Sequence, residues 1–221
     1  MKKYTIIFIF LLALGAQAQD KTKIYGSFAS EMIFSFATID NQGYDQGNIM
    51  RWAPVLNLQG MLNVDFNNTF GLFTGAAIRN VGFIYENPLD TNDTKFKYRT
   101  YNFGIPVGFK IGKLDKFLFF GGYEIEFPFV YKEKTFDDGD KIDKITGWFS
   151  NRTENFQHGV FAGIQFPEGI NLKFKYYFSE FHNQDFMESS GVKPYAGLES
   201  HVFYFSLSYA MFQDVREAYD Y

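Results

Sequence analysis

Few residues in this chain are suited to nucleophilic or acid–base catalysis: its 221 residues include three histidines and no cysteine. The lack of cysteine excludes a thiolate zinc site and a cysteine nucleophile. A catalytic serine needs a histidine within hydrogen-bond reach and a carboxylate to orient that histidine. No serine follows His158, His182 or His201 at the two-residue spacing expected of a lipid-modifying barrel enzyme. We therefore expect no catalytic residues, with a loop triad of His182, Ser179 and Glu180 as the alternative.

A second group suited to chemistry is a cluster of four aspartates within residues 137–143. Calcium binds six to eight oxygen ligands, which close carboxylates supply. The cluster lacks the twelve-residue spacing of a calcium loop and its final glutamate, and Lys141 and Lys144 partly neutralise it. We expect a solvated loop here, and neither a metal nor a cofactor.

Eight charged residues share another pattern, because each stands on the polar side of a segment in which apolar and polar residues alternate. They are Glu31, Asp65, Arg79, Lys110, Glu124, Glu126, Lys173 and Lys175. Alternation with period two predicts strands, since successive side chains of a strand point to opposite faces. Four carboxylates and four cations on the inner faces predict a buried ion-pair network, with Glu124 and Glu126 near Lys173 and Lys175 or Arg79. We expect this network to fill the lumen, the alternative being a path for protons or solutes.

The alternation recurs along the chain and predicts eight strands. They lie near residues 24–37, 52–66, 70–85, 96–112, 117–133, 154–166, 170–179 and 201–212. Tight turns follow the second, fourth and sixth strands, whereas the connections over 38–51, 86–95, 134–153 and 180–200 are long. Short periplasmic turns alternating with long external loops are typical of outer-membrane barrels.

The two faces of the predicted strands differ in side-chain size. The polar faces carry mainly glycine, serine and asparagine, which suit the narrow interior of an eight-strand barrel. The apolar faces carry rings near strand ends, where membrane barrels have aromatic girdles. These rings are Tyr101, Phe117, Tyr131, Phe156, Phe166, Phe178 and Phe203. The sequence therefore predicts an all-β fold, an eight-stranded antiparallel up-and-down transmembrane β-barrel whose apolar face meets lipid.

The N-terminus has the three parts of a secretory signal peptide in order: a positive start, an apolar run and a small-x-small cleavage site. We therefore expect a cleaved signal peptide over residues 1–18, the barrel over 19–212 and a short acidic tail over 213–221. The expected location is the cell outer membrane, with both termini periplasmic and the long loops extracellular. A net charge of −4 without a basic block argues against nucleic acid as a partner. The expected partners are outer-membrane lipid, with lipopolysaccharide and another envelope protein as candidates.

Several segments resemble the small outer-membrane β-barrel proteins of Bacteroidota. Residues 101–110 (YNFGIPVGFK) resemble the I-P-x-x-x-K strand of that family, residues 119–124 (FFGGYE) are similar to its following glycine-rich strand, and the hairpin over 159–178 also fits. The resemblance covers most of residues 20–212 and implies a barrel of OmpA or OmpX size. It implies a structural or interaction role, including that of an accessory subunit of an envelope complex, rather than an enzyme. The alternatives are a narrow passive channel for ions or small solutes and a lipid-modifying barrel enzyme.

Aromatic residues at the ends of the predicted elements lead to two further expectations. Barrels of this kind often end on an aromatic residue that the assembly machinery reads, a role that Phe212 or Tyr221 would fill. Rings in the long loops form either a binding surface or a cover that folds over the barrel mouth. These loop rings are Phe136, Trp148, Phe149, Phe181, Phe186 and Tyr195.

Overall fold

The computed structural model describes residues 22–41, 44–45, 49–86, 94–114, 116–209 and 211–213. The predicted signal peptide, and all of the predicted tail after Gln213, lie outside the described residues. The strands are β1 (Lys23–Asn41), β2 (Tyr44–Asp45), β3 (Arg51–Ala53), β4 (Leu58–Asp65), β5 (Phe70–Glu86), β6 (Lys95–Gly112), β7 (Leu118–Asp137), β8 (Asp140–Trp148), β9 (Gln157–Gln165), β10 (Ile170–Tyr177) and β11 (Leu198–Tyr209). In the described part of the chain, no helix is long and apolar enough to cross a membrane.

The sheet closes on itself as an antiparallel barrel. Its order is β1-β4-β5-β6-β7-β9-β10-β11, and β11 pairs with β1 from Glu31 opposite Ser208 to Asn41 opposite Leu198. β3 and β4 both pair with β1 and together occupy one position in the wall, interrupted over residues 54–57. The predicted eight-stranded antiparallel barrel is therefore confirmed.

The two ends of the barrel differ, and each is named here by its connections. The turn end carries the tight connections, among them Asn67–Thr69, where the Asn67 side chain accepts hydrogen bonds from the backbone N–H groups of Thr69 and Phe70, both at 2.8 Å. The loop end carries the long connections. One of these, predicted as a loop over 134–153, is instead largely a hairpin, because β7 extends to Asp137 and pairs with β8.

A β-bulge shifts the phase of β7 near its middle. Asn102 lies opposite Pro128 and Tyr101 opposite Val130, so Phe129 is the extra residue on β7. An added residue moves every later side chain to the other face. Tyr131, predicted to face lipid, is therefore buried inside the barrel with only 1% of its surface exposed.

The outer surface of the barrel wall is apolar over most of its height. Side chains that alternate with the buried ones form a continuous exposed belt: Phe28, Leu62, Leu72, Ile105, Val107, Phe119, Tyr123, Leu172, Phe205 and Leu207. Of the predicted girdle rings, Phe117, Phe156, Phe166 and Phe178 are exposed, whereas Tyr101 and Phe203 are half-buried. The interior holds two aromatic clusters, one toward each end of the barrel.

Candidate functional site

The middle of the lumen is occupied by six charged side chains centred on Arg79. Its Nη1 lies 3.1 Å from Glu31 Oε2, and its Nη2 lies 3.1 Å from Glu124 Oε1. Nη2 also donates a hydrogen bond of 2.8 Å to Gln59 Oε1. On the other side of Glu31, Lys173 Nζ lies 2.6 Å from Oε1. Each guanidinium or ammonium group thus has a charged partner, which is the condition for tolerating buried charge.

Lys175 extends this group through two carboxylates. Its Nζ lies 2.6 Å from Glu124 Oε2 and 2.5 Å from Glu126 Oε1. Glu126 also accepts hydrogen bonds from Tyr177 Oη at 2.7 Å and from Asn102 Nδ2 at 2.7 Å. Three carboxylates and three cations form one chain of ion pairs across the lumen, and its formal charge is zero.

The two remaining predicted residues, Lys110 and Asp65, pair with each other apart from this chain of ion pairs, near the turn end. Lys110 Nζ lies 2.6 Å from Asp65 Oδ1 and donates hydrogen bonds to Tyr25 Oη at 2.8 Å and Asn63 Oδ1 at 3.1 Å. The structure therefore places all eight predicted side chains on the inner face, six in one network and two in a separate pair. Gln59 follows the same alternation, but it is uncharged and the charge pattern therefore does not include it.

Gly104, on the neighbouring strand β6, makes room for the network. Gly104 of β6 lies opposite Glu126 of β7, and Pro106 lies opposite Glu124. A Cβ atom at Gly104 would lie 2.5 Å from Glu124 Oε1, closer than ordinary van der Waals contact. The small polar-face residues that predict a cramped interior thus have a specific role at this position.

The turn end of the lumen is closed by residues that follow the last strand. β11 ends at Tyr209, and Met211 and Phe212 turn into the barrel, where both are buried. Their carbonyl oxygens accept hydrogen bonds from Ser27 Oγ at 2.6 Å and Tyr25 Oη at 3.0 Å, respectively. The prediction that the eighth strand reaches 212 was therefore wrong, and Phe212 does not lie on that strand as its closing aromatic.

Aromatic packing holds this inward turn in place. The Phe212 ring centroid lies 5.1 Å from that of Phe73 and 5.0 Å from that of Phe120. Lys110 Nζ lies over the same ring, 5.1 Å from its centroid. Burial of these rings outweighs the continuation of strand pairing, which explains why periodicity alone did not reveal the turn.

The loop end of the lumen is closed by the connection between β10 and β11. The His182 ring stacks on Tyr195 with centroids 4.3 Å apart and meets the edge of Tyr98 at 4.4 Å. Arg152 donates to Tyr195 Oη at 3.0 Å and to Glu188 Oε1 at 2.7 Å, which ties the connection to the preceding loop. We call this group of packed side chains the cap.

The cap corrects the interpretation of the loop rings as one binding surface. Phe181 and Tyr195 are buried in the cap, and Phe186 packs against it. Phe136 on β7 is half-buried. Only Trp148 and Phe149 of the six are largely exposed, at 70% and 76%. Folding over the barrel mouth removes the apolar rings from water, which favours the closed arrangement.

The triad alternative is not supported by the geometry around His182. Both ring nitrogens are buried, and neither has a hydrogen-bond partner among the described residues. Ser179 Oγ instead accepts a hydrogen bond from the backbone of His158, and Glu180 pairs with Gln184. Burial, together with the positive charge of Arg152, lowers the pKa of His182 to about 3.

The other two histidines, His158 and His201, lie on the outer face of the barrel. His158 Nδ1 lies 2.7 Å from Tyr123 Oη, and the His201 ring stacks with Tyr176.

The aspartates of 137–143 lie at the tip of the β7–β8 hairpin. Across the described residues, no three histidine, aspartate or glutamate side chains converge as a metal site would require.

The fold and the filled lumen define a class of protein: a closed eight-stranded antiparallel barrel with an apolar exterior and a charged interior. Similar solved structures include Ail, the attachment invasion locus protein of Yersinia pestis, at 15% identity and a TM-score of 0.34, covering 83% of this chain and 97% of that one. Neisserial surface protein A is 11% identical with a TM-score of 0.37, covering 86% and 99%. OprG from Pseudomonas aeruginosa is 14% identical with a TM-score of 0.27, covering 85% and 94%.

These likenesses concern architecture alone. A scan against protein-family models finds no match, and a search of curated proteins finds none either.

Proposed function

We propose that the protein is a non-enzymatic outer-membrane barrel that spans the bilayer as a closed body and acts through surfaces outside it, as a structural or interaction component of the envelope. In this proposal, residues 1–18 are a signal peptide, both termini are periplasmic and the loop end is extracellular. The acidic segment 213–221 is then available to periplasmic partners. The proposal includes the role of an accessory subunit of an envelope complex.

The exposed belt supports insertion in lipid. Phe28 and Val107 expose 59% and 58% of their surfaces on strands three positions apart around the wall, and other exposed side chains of the belt are also apolar. Exposed apolar patches of this extent are rare on soluble monomers. In lipid, backbone polar groups must be paired within the protein, and a barrel closed by β1 and β11 meets that condition.

The observation that carries the proposal is the filling of the lumen along its length. The cap closes the loop end, the ion-pair network crosses the middle, and Met211 and Phe212 close the turn end. Eight strands leave an interior just wide enough for side chains, so these layers occupy the space that a channel would need. A passive channel is therefore the less favoured alternative.

Conductance in planar bilayers tests this directly. We expect the reconstituted barrel to show no discrete conductance steps, because each layer blocks the passage of hydrated ions. Removal of one layer by Phe212→Ala should leave the bilayer silent, since the network and the cap remain. The unmodified protein could instead show discrete conductance steps that disappear when Gly104→Leu adds a side chain to the lumen. That result would establish a channel and overturn the proposal.

The interaction role needs a separate measurement. We expect a second envelope protein to co-purify with the barrel after gentle solubilisation, and a barrel recovered alone would count against the accessory-subunit role. Mass analysis of lipid A from cells with and without the gene tests the enzyme alternative. A mass change that is lost with His182→Ala would identify a lipid-modifying site and contradict the non-enzymatic assignment.

A further inference from the structure

Five cations form a continuous patch on the outer face of the barrel, beyond the apolar belt toward the loop end. They are Lys97 and Arg99 of β6, Lys132 and Lys134 of β7, and Lys144 of β8. The side chains that alternate with them, such as Tyr98 and Glu133, are buried inside the barrel, which places the five on the outside. We call this patch the basic face.

Strand register brings these cations directly against one another. Arg99 lies opposite Lys132, Lys97 opposite Lys134, and Lys134 opposite Lys144. Directly opposed like charges destabilise a sheet. In the free protein this repulsion lowers the stability of the sheet. An anion bound between the opposed side chains would remove the repulsion.

No carboxylate neutralises the basic face among the residues that the structure describes. By contrast, Lys95, which lies on β6 with Lys97 and Arg99, forms an ion pair of 2.6 Å with Glu86. Lys97, Lys132 and Lys134 each lie opposite another cation instead.

The basic face begins where the aromatic girdle of the loop end lies. Tyr101 is two residues after Arg99 on β6, so both side chains point outward. The Tyr101 ring centroid lies 5.7 Å from the Arg99 guanidinium and 5.2 Å from Lys132 Nζ. Trp148, opposite Val130 and largely exposed, lies beside Phe129 with ring centroids 6.3 Å apart. Tyrosine and tryptophan side chains mark the membrane–water interface, so the cations lie at the depth of lipid headgroups.

From this placement we infer that the basic face binds the phosphate groups of an anionic lipid headgroup in the outer leaflet. The inference rests on the proposed function, since it requires the barrel to span the membrane with its loop end outward. Opposed positions on neighbouring strands are about 5 Å apart and next-but-one positions along a strand about 7 Å apart, so one phosphate can contact two or more of the cations. Arginine binds phosphate through two parallel hydrogen bonds and lysine as a point charge, and the patch offers both.

The test compares two double variants with the same change of charge. Lys132→Gln/Lys134→Gln removes two charges from the basic face, and Lys113→Gln/Lys116→Gln removes two exposed charges at the turn end. Each full-length barrel, purified in maltoside micelles, is first checked for the gel shift between unheated and heated samples that marks a folded barrel. Native mass spectrometry then measures binding of diphosphoryl lipid A, monophosphoryl lipid A and phosphatidylcholine, with sodium tripolyphosphate as the soluble anion.

We expect diphosphoryl lipid A to bind the unmodified barrel most tightly, and its affinity to fall about tenfold or more in the basic-face variant. The turn-end variant should bind as the unmodified barrel does. Lys144→Gln, on a strand outside the closed ring, is the second variant and should reduce affinity severalfold without affecting the fold. These results would support the inference.

Three outcomes would overturn it. The basic-face variant could bind diphosphoryl lipid A as tightly as the unmodified barrel, or phosphatidylcholine could bind equally well. Tripolyphosphate could bind as tightly as the lipid, which would assign the face to a soluble polyanion instead. Each of these outcomes can be distinguished from failure of the proposed function, because that function is tested by a different experiment, conductance in planar bilayers.

Discussion

Glu31 and Lys173 form an ion pair of 2.6 Å although they are 142 residues apart in the chain. Glu31 lies on β1 and Lys173 on β10, so the pair spans β11, the strand that closes the barrel. Ser206 of β11 lies opposite both Ile33 and Lys173 and is buried. A small residue at this position lets the two charged side chains meet across the closing strand.

Lys173→Met should therefore destabilise the closed barrel strongly. The substitution removes one of the two cations that pair with Glu31, and breaking a buried pair costs about 3–5 kcal/mol. Urea unfolding of the barrel in vesicles measures the change in unfolding free energy. Lys116→Met, at an exposed turn position, is the control and should change it by less than about 0.5 kcal/mol.

The double variant Lys173→Met/Glu31→Gln sharpens this prediction. Because the two residues share an interaction, the combined loss should be smaller than the sum of the single losses. Additive losses would show that the pair contributes no coupling energy to the fold.

Gly104→Ala tests the space beside the network. The added Cβ would lie 2.5 Å from Glu124 Oε1, so the carboxylate must move away from Arg79 or Lys175, at an expected cost of about 1–3 kcal/mol. Gly60→Ala is the matched control, since a Cβ there meets no atom within 4 Å. Equal unfolding free energies for the two variants would contradict the assignment of a filled lumen at this level.

Ile105→Arg tests which face of β6 meets lipid. Ile105 lies in the exposed belt, and an arginine at the middle of the bilayer should reduce barrel stability by about 2–4 kcal/mol. Asp140→Arg, at the exposed hairpin tip, should have little effect. Unchanged stability in vesicles for Ile105→Arg would mean that the belt is not in contact with hydrocarbon.

The cap should loosen in acid because of His182. Its pKa of about 3 in the folded cap lies below the ordinary value of about 6.5, as a result of burial and of Arg152. Between these two pKa values the undocked loop therefore binds more protons than the docked loop. The favourable free energy of docking is fully present above about pH 6.5 and decreases as the pH falls below that value. The titratable groups packed on the ring are Tyr98, Tyr131 and Tyr195, and the rings of Phe83 and Phe181 also contact it. At pH 5 the expected loss is about 2 kcal/mol.

Protease cleavage within residues 183–194 reports this loosening. Cleavage should speed up between pH 7.5 and pH 5 in the unmodified barrel. In His182→Phe, which keeps an aromatic ring but cannot be protonated, the rate should follow only the intrinsic pH dependence of the protease. An equally large additional acceleration in His182→Phe would contradict the assignment of the acid sensitivity to His182.

Local periodicity was sufficient to predict the eight strands of the closed ring and, before the bulge in β7, the faces of the strands that carry the eight charged side chains. Alternation with period two depends only on neighbouring residues, and one buried face specifies it strongly. The side chains on the polar phase, such as Glu124 and Lys175, could therefore be assigned to the lumen before their partners were known. Their division into a network of six and a separate pair at Lys110 and Asp65 depends on strand register, which the pattern does not contain.

Apart from the local β7–β8 hairpin, the departures from the sequence predictions arise from contacts between residues distant in the chain. The bulge at Phe129 reverses the phase for Tyr131, and burial against Phe73 and Phe120 turns Phe212 inward. The cap and the basic face likewise form only when connections and strands far apart in the chain are brought side by side. Alternation along the chain specifies a local backbone conformation and the side-chain direction, whereas closure, register and the folding of chain ends into the lumen depend on the free energy of packing in three dimensions.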